Sequence, residues 1–459
     1  MKIISKTTAS ILLGASLLAD AQMQEQIDTL TKEIESIKKR QEDSSRSILD
    51  IKKNTNGDNL KFSLEFRNGV DVLRYEDKKN NKTSKNDGLF TSRLFLDMAS
   101  SPMEGLMFKG RLAIYSSWGA HLYVNDDPLK DWSGSSRPSD TVMRIREGYF
   151  VYSTKLGTQP LKFSIGRRPA TNGFLANMRE NEQNPGSPLS HITNMEVNGA
   201  MVMLDLNRYI EGSYIKFVYG RAHTGDMTNV YGTNNSAALP WGPYASTGSE
   251  DRNVDFFVVP GAAYNDGQHE VMYQWAHIFN TKGLNTTSSQ PKIDAGTADL
   301  FALSYKINGL DEDSDFLFDT SLFASGAYSY YDANKGYILN GSSDGGVSKG
   351  HSFWVGANIP DMLTESGKLG FEYNYGSKYW TPMTWAEDTA IGSKVAVRGS
   401  AYEAYWNFDL FGVKYLPSQI RYTYAQHDYT PNINCSGWTP VQEEDIVAQD
   451  LRFFVAYKY

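Results

Sequence analysis

From Leu60 to Tyr459 the chain alternates between apolar and polar residues with a period of two. Leu60, Phe62, Leu64 and Phe66 interleave with Lys61, Ser63, Glu65 and Arg67. Phe90, Leu94, Leu96 and Met98 interleave with Thr91, Arg93 and Asp97, and Phe108, Leu112 and Ile114 with Lys109 and Arg111. This period predicts strands that show one face to apolar and the other to polar surroundings. About sixteen such segments follow, each near the roughly ten residues that a tilted strand needs to cross a bilayer. They are expected near 60–75, 88–100, 105–118, 141–153, 161–168, 195–206, 213–222, 252–263, 268–280, 297–308, 316–331, 349–359, 368–376, 396–410, 413–426 and 448–459. Their connectors alternate in length. Residues 76–87, 119–140, 169–194, 223–251, 281–296, 332–348, 377–395 and 427–447 are long and polar, while Ser101-Pro102-Met103-Glu104, Asn207 to Gly212, Asn265-Asp266-Gly267 and Leu410-Phe411-Gly412 are short. The pattern predicts an all-β fold over residues 54–459, a transmembrane antiparallel up-and-down β-barrel with long loops at one end. Both ends of that region then fall at the short-turn end. A soluble sandwich would carry polar outward faces and need no sorting of loops by length. Closure also removes the exposed edges that so many strands would present.

Upstream the period changes. Met23, Ile27, Leu30, Ile34, Ile37, Gln41, Ser44, Ile48 and Ile51 are spaced alternately by four and three residues, a heptad seam over 22–53. This predicts a short N-terminal coiled coil. Isoleucine at both core positions favours three strands, and Gln41 and Ser44 weaken the middle of the seam. The competing reading is a single amphipathic helix lying on its own domain. Asn54-Thr55-Asn56-Gly57-Asp58 ends the run with turn formers. Before it, Lys2 and Lys6, the apolar run Ile11 to Leu18 and the small residues around Ala21 have the order of a secretory signal peptide over 1–21. A buried N-terminal helix is the alternative. The coiled coil is therefore expected in the periplasm, about 45 Å long at 1.5 Å per residue.

Composition narrows the picture. The formal charge of the 459 residues is −8 and the pI about 5.5, which argues against nucleic acid as a partner. A mean hydropathy of −0.46 is too low for a helical membrane protein. Aromatics make up 13 %, and Trp118, Tyr149, Tyr152, Tyr328, Tyr330, Tyr373, Tyr375, Tyr402 and Tyr405 fall near expected strand ends. Interfacial girdles use such rings, although β-propensity alone also favours them. The lone Cys435 has no partner for an internal disulfide and no assigned role.

If the apolar faces meet lipid, the polar faces line a lumen. The first five strands then present Arg67, Arg93, Lys109, Arg111, Arg144, Arg146, Lys162 and Arg168 inward, since a charge facing lipid at mid-depth costs about 2–4 kcal/mol. The adjacent Arg146 and Glu147 break strict alternation, and a bulge marked by Gly148 is expected there. The third long connector carries Arg179, Glu180 and Glu182. In one reading Glu180 and Glu182 face the arginine wall across the lumen. In the other, the basic residues only solvate the lumen and the two acids pair with Arg179 at the outer surface. A basic wall also suits anion selectivity. Enzymatic chemistry finds no support. His121, His191, His223, His269, His277, His351 and His427 sit singly, and no Gly-x-Ser-x-Gly or His-Glu-x-x-His occurs. Asp311, Asp313 and Asp315 have the spacing of a calcium loop, but Phe316 and Leu322 stand where it needs Gly and Glu. No metal and no cofactor are expected.

The run Arg146-Glu147-Gly148-Tyr149-Phe150, followed by Phe163-Ser164-Ile165-Gly166-Arg167, resembles porin hairpins, with Gly148 in place of the usual Ala. Two longer stretches are Gly166-Arg167-Arg168-Pro169-Ala170-Thr171-Asn172-Gly173 with Arg179-Glu180-Asn181, and Gly370-Phe371-Glu372-Tyr373-Asn374-Tyr375-Gly376-Ser377-Lys378-Tyr379-Trp380 with Arg398-Gly399 and Tyr402-Glu403-Ala404-Tyr405. They are similar to a porin-like domain-of-unknown-function family of proteobacterial outer-membrane proteins. The resemblance spans most of residues 60–459. It implies a porin-like barrel in outer-membrane lipid, and an inward-folded third loop of the kind that sets acids against a basic wall. It implies no substrate and no catalytic residue. The last strand resembles the terminal signal read by the barrel-assembly machinery, with Phe453, Val455, Tyr457 and Tyr459 alternating and Tyr459 where Phe is usual. Phe454 alone does not fit. The expected function is a channel for passive or selective diffusion of small polar solutes or ions, a homotrimer held by its coiled coil. The alternative is a structural protein that tethers the membrane to peptidoglycan or a periplasmic partner.

Overall fold

A computed structural model of the chain describes residues 60–119, 142–182, 184–186, 189–223, 253–289, 291–364, 366–384, 387–431 and 441–459. The expected signal peptide, the coiled coil with its core from Met23 to Ile51, and Cys435 lie outside the described residues.

Among the described residues sixteen long strands alternate in direction. They are β1 Lys61–Asp77, β2 Lys82–Met103, β3 Leu106–Ser117, β4 Met143–Leu156, β5 Gln159–Ala170, β6 Thr193–Asp205, β7 Tyr214–His223 and β8 Val254–Asn265. Then come β9 His269–Ile278, β10 Gly296–Asn308, β11 Ser321–Ala333, β12 Val347–Pro360, β13 Lys368–Gly376, β14 Gly399–Asp409, β15 Pro417–Tyr429 and β16 Glu443–Lys458. Each pairs antiparallel with the next, and β16 returns to β1 from Glu65 opposite Lys458 to Asp77 opposite Ile446. The sheet is therefore a closed barrel, and the last strand lies beside the first, as its alternation predicts. Lys61 to Arg67 are flanked by β16 only from Glu65 onward.

The burial pattern is that of a barrel with an apolar exterior. On β10 the residues Phe301, Leu303 and Tyr305 are exposed, while Leu300, Ala302, Ser304 and Lys306, which alternate with them, are buried. Arg421 and Thr423 are buried on β15, alternating with the exposed Ile420 and Tyr422. Phe453 and Tyr457 point outward at 38 % and 44 % exposure, Arg452 and Ala456 are buried, and the Tyr459 N–H donates to the Leu64 carbonyl at 2.9 Å.

Three local expectations need correction. The first connector is not a loop: β1 and β2 continue as a hairpin to the turn Lys78–Asn81, and residues 82–88 are exposed on both faces. Alternation vanishes there because neither face is covered. The segment from 316 is not yet strand: Asp315–Phe318 forms a helical turn capped by the Ser314 hydroxyl, and β11 begins at Ser321. The bulge that reconciles Arg146 with Glu147 sits at Arg146 rather than at Gly148. Arg111 pairs with Glu147 and Leu112 with Ile145, leaving Arg146 as the extra residue.

The inner wall is not uniformly polar. Phe256 and Val258 of β8, Met272 and Ala276 of β9, Ala298 and Leu300 of β10, Phe323 of β11 and Trp354 of β12 form a buried cluster. The described residues of the connector 171–192, which joins β5 to β6, fold into the barrel and cover it with Phe174, Leu175, Met178, Leu189 and Ile192. Phe174, Leu175 and Ile192 are at most 1 % exposed, and each such burial contributes about 1.5–3 kcal/mol. The connector between β13 and β14 adds Trp380, Met383 and Val395, and its piece Met383–Thr384 pairs in parallel with the start of β6. One half of the barrel interior is thus a protein core.

Gly166 of β5 has φ 137°, and a Cβ there would stand 2.3 Å from the Gly148 carbonyl oxygen. Gly166→Ala is expected to cost about 1–3 kcal/mol, seen as a lower temperature for the heat-induced mobility shift on a semi-native gel.

Candidate functional site

The opposite half of the interior is charged. Arg67, Arg93, Arg111 and Arg146 come from β1, β2, β3 and the bulge in β4, and gather around Phe95 of β2. Phe95 is 3 % exposed. The guanidinium carbons of Arg93, Arg111 and Arg146 lie 4.2, 4.8 and 5.0 Å from its ring centroid. A π face and nearby carboxylates let like charges share so small a space. Glu65 pairs with Arg93, Asp97 and Glu147 with Arg111, and Glu196 with Arg146. Arg67 lies 4.8 Å from the Phe454 ring. Phe454, the aromatic that does not fit an outward strand face, therefore carries an arginine on the inner wall.

Across from this wall stands the tip of segment 171–192. Arg179 is 1 % exposed and donates to Glu180 Oε1 at 2.9 Å, to Glu387 Oε1 at 2.9 Å and to the Glu387 carbonyl at 3.0 Å. Its own carbonyl accepts from Gln419 Nε2 of β15 at 2.6 Å and from Asn407 Nδ2 of β14 at 3.2 Å. The segment therefore crosses the interior from β5 to β14 and β15. His191 anchors its other end, its ring nitrogens 2.8 and 2.9 Å from the hydroxyls of Ser325 and Ser352. Burial pushes the His191 pKa down to about 3, so the ring is neutral. Burial opposes ionisation of Glu180, but Arg179, Arg421 and Arg67 outweigh it and hold its carboxyl below the usual range. Burial and the neighbouring Glu180 push the Glu182 carboxyl up, and Asn172 donates to it at 3.1 Å.

A cavity of about 70 Å³ separates the two sides. Arg67, Arg93, Arg111, Arg146 and Glu65 line it on one side, and Glu180, Asn181 and Glu182 on the other. That volume holds about two water molecules. Glu180 faces the wall, as the first reading has it, and its pair with Arg179 is buried inside the barrel rather than at the outer surface, as the second had it. Lys109, Arg144, Lys162 and Arg168 do not border the cavity. Arg168 lies 4.9 Å from the Tyr149 ring, and Arg144 and Lys162 are exposed.

Alternation gives no sign of the second inward segment, 377–398. Its Lys394 pairs with Glu403 and, at 2.6 Å, with Glu372. Trp354 Nε1 donates to Glu372 and Thr423 Oγ1 to Glu403, each at 2.8 Å. Asp388 of the same segment pairs with Arg67 and with Arg93. The only sequence signal is the acid pair Glu387-Asp388 within a long connector.

Among curated proteins none matches this sequence. Solved structures do. OmpT of Vibrio cholerae is 11 % identical over 89 % of this chain and 99 % of its own, with a TM-score of 0.47. An anion-selective porin from Comamonas acidovorans is 12 % identical over 87 % and 100 %, with a TM-score of 0.48. The outer membrane channel DcaP of Acinetobacter baumannii is 14 % identical over 89 % and 99 %, with a TM-score of 0.42. Similarity at this level adds nothing to what the strand pairing already shows. The profile of the family DUF3373, described as a protein of unknown function, matches residues 83–458, and the chain belongs to that family.

Proposed function

We propose that the protein is a porin-like channel of the bacterial outer membrane, passing small polar solutes or ions by diffusion, with residues 171–192 as its constriction. The observation that carries this reading is the narrow charged cavity between the arginine wall and Glu180–Glu182, inside a closed barrel whose exterior is apolar. Fixed charges lining a narrow passage can replace the hydration of passing ions and dipolar solutes. Arg67, Arg93, Lys109, Arg111, Arg144, Arg146, Lys162 and Arg168 are its proposed pore-lining residues, with Arg179, Glu180 and Glu182 at the narrowing. The signal peptide over 1–21 exports the chain, and the final aromatics engage the barrel-assembly machinery. The coiled coil over 22–53 stands in the periplasm and holds a homotrimer.

Purified protein in planar bilayers is expected to give discrete single-channel steps of small conductance, because the charged cavity is only about 70 Å³. Its absence would overturn the channel reading. Deleting residues 22–53 is expected to abolish trimers on an unheated gel while leaving the monomer folded. Trimers that persist would remove oligomerisation from that segment and favour a tether to peptidoglycan or a periplasmic partner.

A further inference from the structure

A second cavity of about 480 Å³ lies inside the barrel, bordered by Asp71, Thr91, Thr384, Glu387, Ile391 and Arg452. Asp388 borders both this cavity and the narrow one. Its carboxylate accepts from Arg67 of β1 and, at 2.6 Å, from Arg93 of β2. Arg452 of β16 donates to the Asp388 carbonyl at 2.7 Å and lies 3.8 Å from its carboxylate. Burial works against the charge, yet Arg67, Arg93 and Arg452 hold the Asp388 carboxyl well below the usual range. Asp388 itself has φ 51°, a left-handed conformation that a non-glycine residue adopts at a cost. Beside it, Thr389 Oγ1 closes a local turn on the Gly392 carbonyl at 2.7 Å.

Three arginines at this point meet three carboxylates. Arg93 also binds Glu65, and Arg452 also binds Asp71. Asp388 is the one acid of the three that comes from a connector rather than from the wall. Its removal takes from Arg67 and Arg93 the one carboxylate that they share. Charge-assisted donors fixed on three adjacent strands form a rigid receptor for a small carboxylate.

We propose that Arg67, Arg93 and Arg452 form a binding site for small carboxylate solutes, which Asp388 occupies in the free protein and from which an entering carboxylate displaces it. The proposal rests on the channel reading for its role in transport, and on the arginine geometry alone for binding. Asp388 then acts as an internal competitor that keeps the two cavities apart until a carboxylate takes its place.

The test uses the full-length protein, Asp388→Ala and Asp388→Asn, with acetate as probe because it restores the group that alanine removes. In planar bilayers, Asp388→Ala is expected to conduct chloride better than wild type, and acetate to block that current at about tenfold lower concentration than in wild type. Asp388→Asn, which keeps the shape and loses the charge, is expected to fall between them. Calorimetric titration of acetate should show the same order of affinity. Wild type that conducts, with equal acetate sensitivity in all three proteins, would overturn the proposal and leave the channel reading intact. Absence of current in all three, with tighter acetate binding to Asp388→Ala, would overturn the channel reading and keep the site. Should Asp388→Ala lose its heat-dependent mobility shift, Asp388→Asn against wild type decides by the same two measurements.

Discussion

Arg179→Met is expected to lower the free energy of unfolding by about 3–5 kcal/mol, because it leaves buried carboxylates without their cation. Methionine fills most of the stem volume, so packing changes little. What is lost is the donor set that ties Glu180 and Glu387 together, in a place where the Arg179 and Glu387 side chains are 1 % and 4 % exposed. Glu403, with no exposure at all, keeps Lys394 and Arg421 and loses only one of its two partners at 3.9 Å. The double variant Arg179→Met/Glu387→Gln is expected to recover part of the loss, since it removes one stranded charge. Urea unfolding in a defined detergent measures both. A single variant within about 0.5 kcal/mol of wild type would mean that segment 171–192 is not held to the far wall by this residue.

Phe95→Ala is expected to be as severe, at about 3–5 kcal/mol for a large buried aromatic. It also strips three guanidiniums of their common face. Phe95→Leu separates the two effects, because leucine keeps much of the volume and none of the π density. Its cost is expected near 1–2 kcal/mol. Reversal potential in a salt gradient gives a second readout. With the arginines free to spread, the preference between chloride and potassium should shift in both variants. An unchanged preference would show that Phe95 only fills space.

The outer face of the barrel was legible along the chain because outside and inside alternate at every residue of a strand, and about sixteen strand positions follow from that. The limits have physical reasons. Residues 82–88 leave the covered belt, so the hairpin they form has no period to read. On β10 and β12, Leu300 and Trp354 are inward yet apolar, because two connectors fold against them. Period two identifies alternate faces and does not say which solvent, lipid or protein each will meet. Arg67, Arg93, Arg111 and Arg146 were found as inward charges, whereas of the rings beneath them Phe454 read as a break in the pattern and Phe95 gave no signal. The role of Asp388 was out of reach, its acid pair with Glu387 being the one trace of it in the chain. Asp388 meets Arg67 across a separation of 321 residues, and no local rule encodes such a contact.

The clasp around Asp388 has one more consequence, which concerns how the cylinder shuts. Arg67 belongs to the first strand and Arg452 to the last, and Arg452 also pairs with Asp71 directly across their junction. Asp388 can reach both only when those two strands lie side by side. The contact then rivets the one join among the described strands that no turn connects. A carboxylate solute seated in the same three arginines would bridge the same join, so ligand exchange would not leave the wall unfastened.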